Sequence, residues 1–170
     1  MNQYIHLLSN SYISQPTDIW VPVTGNIRPM HAHQVTSGLF WHYKELDFSV
    51  EGYYKRMNNL VEYKDNGPVL PSFTGWEDRV GVGKGRSYGL ELMVQKKTGR
   101  FNGWIGYTLS WSDRWFPDGT VNKGRRFPSK YDNRHKVDIV ASYKLSKKVE
   151  LTAAWMYKSR NHLTIQDVQY

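Results

Sequence analysis

The sequence predicts an all-β chain, namely a segment of an antiparallel, up-and-down transmembrane β-barrel with about seven long strands. Three observations lead to this prediction. Apolar and polar residues alternate repeatedly along the chain, the alternating segments are mostly about ten residues long, and short turns alternate with long loops. A strand needs about 9 to 11 residues to cross a bilayer at a tilt, whereas strands of soluble proteins typically have about five or six.

Seven segments carry the strand pattern. Residues 2–9 resemble the end of a strand that is already under way, and residues 35–43 alternate less cleanly. The other five alternate with a period of two, which places every second side chain on the same side of a sheet. These five segments are residues 48–55, 88–95, 101–111, 136–145 and 149–158.

The two predicted faces of these strands differ in composition. The apolar face is almost free of charge and carries aromatic rings toward the strand ends: Tyr54, Tyr88, Trp111, Tyr143, Trp155 and Tyr157. The opposite face carries Glu51, Glu91, Asp138, Lys144 and Glu150. In a β-sandwich the apolar face would be the core, whereas in a large barrel it faces lipid and the polar face lines a wet lumen. Periodicity does not separate these alternatives, but strand length and loop asymmetry favour the barrel.

The connections between the strands are of two kinds. Short turns are predicted at residues 44–47, 97–100 and 146–148, and long loops at about 10–32, 63–85 and 112–133. The loops contain all seven prolines of the chain. Outer-membrane barrels have short periplasmic turns and long extracellular loops, and compact soluble domains rarely have several loops of this length.

Composition narrows the functional classes. The 170 residues carry a net charge of +8, but the lysines and arginines are scattered instead of lining one face, so no nucleic-acid partner is predicted. There is no cysteine for a disulfide or thiolate site. No apolar run is long enough for a transmembrane helix, and the first residues do not resemble a signal peptide. From the missing signal we expect the chain to be a fragment of a longer protein.

Two motifs suggest cofactor or metal chemistry at first sight. Residues 81–85, Gly-Val-Gly-Lys-Gly, do not have the Walker spacing, so we expect a flexible loop that ends at Arg86. His31 and His33, with His42 or His135, could suggest a metal site, but spacing fixes no third ligand and exposed loop histidines are the preferred interpretation. We predict no metal and no cofactor.

Enzymatic residues are not predicted either. The carboxylates Glu51, Glu91 and Glu150 could pair as acid and base, but a linear sequence does not set their separation, and lumen-lining residues are the default. No nucleophile signature is present. Residues 114–119 place Trp115 and Phe116 in a predicted long loop. These rings could stack on sugars or aromatic iron chelators, or pack the loop onto its neighbours, and the sequence leaves both open.

Several motifs together resemble a known family. Residues 84–91 read Lys-Gly-Arg-Ser-Tyr-Gly-Leu-Glu, residues 97–110 read Lys-Thr-Gly-Arg-Phe-Asn-Gly-Trp-Ile-Gly-Tyr-Thr-Leu-Ser, and residues 127–135 read Phe-Pro-Ser-Lys-Tyr-Asp-Asn-Arg-His. In this order and spacing they resemble strand and turn elements of TonB-dependent receptors of the Bacteroides group. Residues 16–22, 27–30 and 51–55 are also similar to this family, so the resemblance covers nearly the whole chain.

The resemblance implies a large monomeric barrel in the outer membrane of a Gram-negative bacterium, closed by an N-terminal plug and driven by the TonB complex. Such a receptor imports a scarce nutrient such as an iron chelate, cobalamin or a glycan, and its surroundings are outer-membrane lipid and lipopolysaccharide. Barrels of this class have about 22 strands. Residues 1–170 are therefore expected to be a partial barrel domain without the plug, not competent for transport alone. No family site residue, catalytic or ligand-binding, can be carried over.

Two further interpretations stay open. A small complete barrel of eight strands, porin-like or adhesive, would take its last strand from residues 163–168. A soluble carbohydrate-binding β-sandwich would use exposed tryptophan and tyrosine rings. An enzyme is the interpretation that the sequence favours least.

Overall fold

The fold was analysed in a computed structural model, which describes residues 2–9, 18–65, 75–130 and 132–159. Within these residues the chain forms short 3-10 turns at Trp76–Arg79 and Asn122–Gly124, and none of its helical segments is long and apolar enough to cross a membrane. The strands are β1 (Asn2–Gln3), β2 (Ile5–Ser9), β3 (Asp18–Pro22), β4 (Met30–Tyr43), β5 (Leu46–Tyr63), β6 (Val80–Lys96), β7 (Phe101–Trp115), β8 (Phe127–Pro128), β9 (His135–Lys144) and β10 (Glu150–Lys158).

The strands form one large antiparallel sheet and one small hairpin. The order in the large sheet is β1-β4-β5-β6-β7-β9-β10, with β8 paired to the loop end of β7, and β2 pairs with β3 separately. Each long strand is therefore hydrogen-bonded to the next long strand in the chain, which is the up-and-down arrangement. The predicted all-β, antiparallel barrel segment is confirmed, but its main path has six long strands and the short β1. The single strand predicted at residues 2–9 is instead divided between β1 and β2, and β2 belongs to the separate hairpin.

The strand register places the predicted apolar residues on a common face. Because side chains alternate along a strand, one aligned row fixes the face of every second residue above and below it. The row through the middle of the sheet consists of Leu39, Val50, Leu92, Tyr107, Val137 and Tyr157. The apolar residues of six strands therefore make one continuous surface.

This apolar surface is not covered by a second layer of protein. The exposed fraction is 72% for Leu39, 53% for Ile105 and 58% for Leu151. In a sandwich these side chains would meet a facing sheet and form a dry interior. No such layer exists in the described residues, so the β-sandwich alternative is not supported. The proposed eighth strand at residues 163–168 lies outside the described residues.

Four strands extend further toward the long loops than predicted, and one of them is β4, which begins at Met30. β5 has 18 residues, β6 has 17 and β7 has 15. The predicted bounds of the loops at 63–85 and 112–133 are therefore wrong, and part of 10–32 is also strand, since it holds β3 and the start of β4. The prediction relied on alternating apolar side chains. That signal is missing where glycines and charged residues continue the strands.

The Gly-Val-Gly-Lys-Gly motif illustrates this error. It is part of β6 and not a flexible loop. At Gly83 an added Cβ would lie 2.6 Å from the Phe116 ring, and Phe116 is completely buried. Glycine is therefore needed here because the ring from the end of β7 packs directly on the β6 backbone.

A small hydrophobic core lies at the loop end of the sheet. It consists of Val21, Ile27, Val61 and Val80, with Tyr63 and Trp76 packed against it. A β-bulge in β5 precedes this core, where the register shifts between Asn58 and Leu60. At the bulge, Asn59 has a φ of 57° and its side-chain amide donates to the Pro29 carbonyl at 2.9 Å. The bulge therefore fixes the chain segment before β4 to the extension of β5.

The short turns at the opposite end are confirmed. Lys44 has a φ of 55° between β4 and β5, and Gly99 has a φ of 98° between β6 and β7. In the third turn the Ser146 hydroxyl accepts the backbone N–H groups of Lys148 and Val149 at 3.2 and 3.1 Å. Polar side chains and positive φ angles thus reverse the chain within a few residues.

Candidate functional site

The apolar face of the sheet forms a band with sharp limits, which we call the apolar band. On this face of β6, Arg86 and Lys96 are ten residues apart and the residues between them are uncharged. Ten residues correspond to about 34 Å of strand, or about 26 Å across a bilayer at a tilt of about 40°. Outer-membrane barrels have an apolar band about 25 Å tall. The band consists of Val35, Ser37, Leu39, Trp41, Tyr43, Leu46, Phe48, Val50, Gly52, Tyr54, Tyr88, Leu90, Leu92, Val94, Phe101, Gly103, Ile105, Tyr107, Leu109, Trp111, Val137, Ile139, Ala141, Tyr143, Leu151, Ala153, Trp155 and Tyr157.

Aromatic rings line both limits of the apolar band. Toward the long loops, Tyr54, Tyr88 and Trp111 form a row with ring centroids 6.5 and 5.3 Å apart. Toward the short turns, Trp41 stacks on Phe48 at 5.2 Å. Tyrosine and tryptophan combine an apolar ring with a polar group, which suits the boundary between acyl chains and headgroups.

The opposite face of the sheet, which we call the inner wall, is of mixed polarity. Glu51 lies directly opposite Glu91 in the strand register. Lys136 and Asp138 form an ion pair at 2.6 Å. Neighbouring positions on this face hold hydroxyl groups, such as the Ser142–Thr152 pair with oxygens 2.9 Å apart. Like charges in direct opposition require water or other solvation, so this face is suited to an aqueous space.

Ion pairs mark the short-turn end of the band. Lys96 bonds to Glu45 at 2.7 Å, and Asp47 accepts bonds from Lys97 at 2.8 Å and from His42 at 2.7 Å. Most of these groups are well exposed, so each pair adds little to stability. They show where the surface changes from apolar to charged.

The charged groups at the loop end are more buried than those at the short-turn end. Asp132 is 1% exposed and accepts the Ser112 backbone N–H at 2.8 Å and an Arg134 nitrogen at 3.0 Å. On the inner side, Arg114 of β7 forms an ion pair with Glu62 of β5. These bonds hold the segment after β7 and connect neighbouring strand extensions.

One carboxylate of the loop end has a shifted pKa. Hydrogen bonds from Thr24 and Asn26 lower the pKa of Glu77, because they favour its charged form. The Asn26 amide donates to Glu77 at 2.7 Å. This contact links the loop before β4 to the 3-10 turn before β6.

The predicted histidines do not lie in loops and are not brought together. His31 and His33 are on β4, and His31 is 3.3 Å from the Asn58 amide. His135 is on β9, where its Nδ1 is 2.8 Å from the Tyr107 hydroxyl, and His42 bonds to Asp47. Among the described residues no three potential ligands cluster around a common point.

The carboxylates considered for catalysis are only partly brought together. Glu51 and Glu91 face each other, whereas Glu150 lies at the short-turn end of β10, opposite Lys144. The predicted aromatic loop at 114–119 is wrong in its start, because β7 continues to Trp115, whose ring N–H donates to the Gly124 carbonyl at 3.0 Å. For Phe116 the packing alternative is confirmed by its complete burial.

A group of cations that was not predicted lies on the outer face of the sheet, which is the face that carries the apolar band. Arg56 and Arg86 occupy the positions directly beyond Tyr54 and Tyr88, so they lie just outside the aromatic row. Lys84 follows two residues further along β6. Arg56, Lys84 and Arg86 continue the period-two alternation of β5 and β6, and this alternation could have predicted their common face. The prediction placed residues 81–85 in a loop and did not extend β5 beyond residue 55.

Comparison with known proteins agrees with this geometry. The sequence model of the family described as TonB dependent receptor-like, beta-barrel matches residues 4–167. Comparisons with curated proteins and with solved structures gave no match. The matched region covers nearly the whole chain, including all six long strands. The chain therefore belongs to the TonB-dependent receptor β-barrel family, a family of outer-membrane receptors and transporters.

Proposed function

We propose that this chain forms part of the wall of a receptor in the outer membrane of a Gram-negative bacterium, which imports a scarce nutrient. The nutrient classes are an iron chelate, cobalamin or a glycan. The observation that carries the proposal is the difference between the two faces of one sheet: an uncharged band about 26 Å tall on one face and opposed carboxylates on the other.

The apolar band supports a location in lipid. Several of its large side chains are more than half exposed, such as Ile105, Leu151 and Trp155. Burial of apolar surface contributes about 25 cal/mol per Å², so acyl chains would stabilise this face where water does not. Backbone groups in the middle strands are paired with neighbouring strands, as a lipid environment requires.

The inner wall supports a role in transport and not in catalysis. Its carboxylates, hydroxyls and the Lys136–Asp138 pair would line an aqueous interior. A receptor with about 22 strands would take roughly a third of its wall from residues 1–170. The plug, the TonB contact and the remaining wall would come from the rest of a longer protein, so this part alone would not transport.

The membrane assignment can be tested with single cysteines, because the chain has none of its own. Spin labels at residues 90–95 of β6 sample both faces in alternation. In phospholipid vesicles, labels at Leu90, Leu92 and Val94 should collide more with oxygen, which concentrates in lipid. Labels at Glu91, Met93 and Gln95 should collide more with a water-soluble nickel chelate. These two sets are matched controls for each other.

A period of two in the ratio of the two collision rates supports the membrane wall. Equal access of the nickel chelate to all six labels would contradict it. A chain that stays in solution as a monomer without detergent and unfolds cooperatively would contradict it as well.

Import can be tested in the cells that contain the protein. Uptake of a radiolabelled iron chelate, of cobalamin and of oligosaccharides should be compared with and without the gene that encodes this chain, and with and without TonB. We expect the uptake of one class to fall in both deletions. Unchanged uptake of all three classes in the gene deletion would overturn the import proposal.

A further inference from the structure

A cationic depression lies on the outer face of the sheet, immediately beyond the aromatic row of the apolar band. It has a volume of about 260 Å³ and its lining includes Tyr54, Arg56, Lys84, Arg86, Trp115 and Arg126. The register places Arg56 next to Arg86, and Lys84 next to Trp115. The depression is therefore built from three adjacent strands and from the loop after β7.

The depression has an excess of positive charge. Arg86 is neutralised by Asp113, whose carboxylate accepts its Nε and Nη2 groups at 3.0 and 2.8 Å. Arg56, Lys84 and Arg126 form no ion pair among the described residues, whereas Lys84 and Arg126 lie over the Trp115 ring at 5.9 and 5.4 Å. Stacking on the ring holds the two cations beside the depression, and an anion would complement them.

A shallow apolar groove continues from the depression into the apolar band. Its lining includes Val35, Ser37, Gly52, Tyr54, Leu90 and Leu109, and it shares Tyr54 with the depression. The groove exists because Ser37 and Gly52, which are directly opposite each other, are small residues between rows of large side chains. The cations of the depression and the adjoining apolar groove match a molecule with an anionic head and a hydrocarbon chain.

We propose that the depression and the groove together bind lipopolysaccharide. A phosphate of its lipid A part would contact Arg56, Lys84 and Arg126, and an acyl chain would lie in the groove over Gly52. The proposal rests on the proposed function, which places this face in an outer membrane with the long loops outside. Arginine and lysine form charge-assisted hydrogen bonds with phosphate oxygens, and the groove is continuous with the lipid-facing band.

The test measures lipid binding by native mass spectrometry on the full chain in detergent. The probes are purified lipid A, dephosphorylated lipid A and inorganic phosphate. The head-site variant is Arg56→Gln/Lys84→Gln/Arg126→Gln, and its matched control is Lys144→Gln/Lys147→Gln/Lys148→Gln at the short-turn end, with the same loss of charge. The groove variant is Gly52→Leu. A Cβ at Gly52 would meet only a backbone oxygen at 3.9 Å, so the strand can accept the new side chain. Its control is Ala153→Leu on the same face of β10.

We expect the head-site variant to weaken lipid A binding at least roughly tenfold, because it removes three charged hydrogen-bond donors. Gly52→Leu should weaken it a few-fold, and both control variants should bind lipid A as the unmodified chain does. Dephosphorylated lipid A should bind as weakly to the unmodified chain as lipid A binds to the head-site variant.

Equal loss in the head-site variant and its control would overturn the proposal, and so would equal affinity for dephosphorylated lipid A. Binding of inorganic phosphate as tight as that of lipid A would assign the cations to a free anion instead. The spin-label experiment separates this failure from failure of the proposed function. If residues 90–95 alternate in oxygen access but the head-site variant binds normally, the chain is a membrane wall without this lipid site.

Discussion

The loop end and the apolar band belong to the same strands, yet their large side chains have opposite environments. At the loop end Phe116 is 0% exposed and Val80 is 4% exposed. In the band Leu39 is 72% exposed and Trp155 is 56% exposed. The loop end has a small core of the kind found in water-soluble proteins, whereas no second layer formed by the described residues covers the apolar side chains of the band.

This difference indicates that the loop end of the sheet is suited to water and the apolar band to lipid. On the long-loop side of the row formed by Arg56, Arg86 and Asp113, water surrounds the protein. Apolar side chains there must be buried by other protein groups. On the short-turn side of that row, lipid takes the place of a second protein layer, and the protein contributes backbone hydrogen bonds between its strands. Substitutions in the two regions should therefore obey different rules.

The largest effect is expected from Phe116→Ala at the loop end. Loss of a completely buried ring should lower the free energy of unfolding by about 3–5 kcal/mol, because a cavity remains over Gly83. The matched control is Phe40→Ala on the inner wall, where the ring is 70% exposed and the expected cost is below about 1 kcal/mol. Urea unfolding of the refolded chain measures both. Equal costs would show that the loop end has no real core.

In the apolar band, Leu92→Arg should lower the free energy of unfolding in vesicles by about 2–4 kcal/mol, since a cation near the middle of the bilayer is poorly solvated. Met93→Arg on the same strand faces the inner wall and should cost much less. A larger cost for Met93→Arg in vesicles would reverse the assignment of the two faces.

A medium effect is expected for Asp132→Ala at the loop end. This substitution leaves the Ser112 N–H and Arg134 without their buried acceptor and should cost about 2 kcal/mol. Asp118→Ala is the control, because the Asp118 carboxylate accepts bonds from Thr120 in an exposed turn and should matter less. Unfolding by urea, followed by tryptophan fluorescence, distinguishes the two. The idea fails if the exposed carboxylate matters as much as the buried one.

The smallest effect concerns pH. The pKa of Glu77 in the folded chain is lowered below its ordinary value of 4.5 by Thr24 and Asn26. Its contribution to stability is therefore present above 4.5 and is lost as the pH falls through the lower folded pKa. Amide hydrogen exchange of residues 24–27, corrected for intrinsic rates, should show weaker protection at pH 3 than at pH 6. Glu77→Gln should remove this difference, and an unchanged pH dependence in that variant would exclude Glu77 as its cause.

The apolar band was predictable because it follows from local pattern. Consecutive residues from 88 to 95 lie on alternate faces of the sheet. The strand register then places Leu92 beside Val50 and Tyr107, as this pattern requires. The short turns were predictable for the same reason, since glycine and polar residues stand where the alternation stops. These features depend on neighbours within a few positions of the chain.

The loop end was not predictable in the same way. The packing of Phe116 on Gly83 joins residues 33 positions apart, and glycines give no alternation signal of their own. The bulge at Asn59 changes the face on which the following β5 residues lie, and nothing near it in the sequence signals this shift. The cationic depression also requires three strands and a loop to be in register.

The sequence by itself determined that strands of membrane-crossing length alternate between an apolar and a polar side, because a period of two is a property of single strands. The tertiary structure decided how far those strands continue, which loop residues are buried, and which cations meet beside the aromatic row. These features depend on pairing between distant segments, where register, a single bulge and the absence of a Cβ determine which side chains touch.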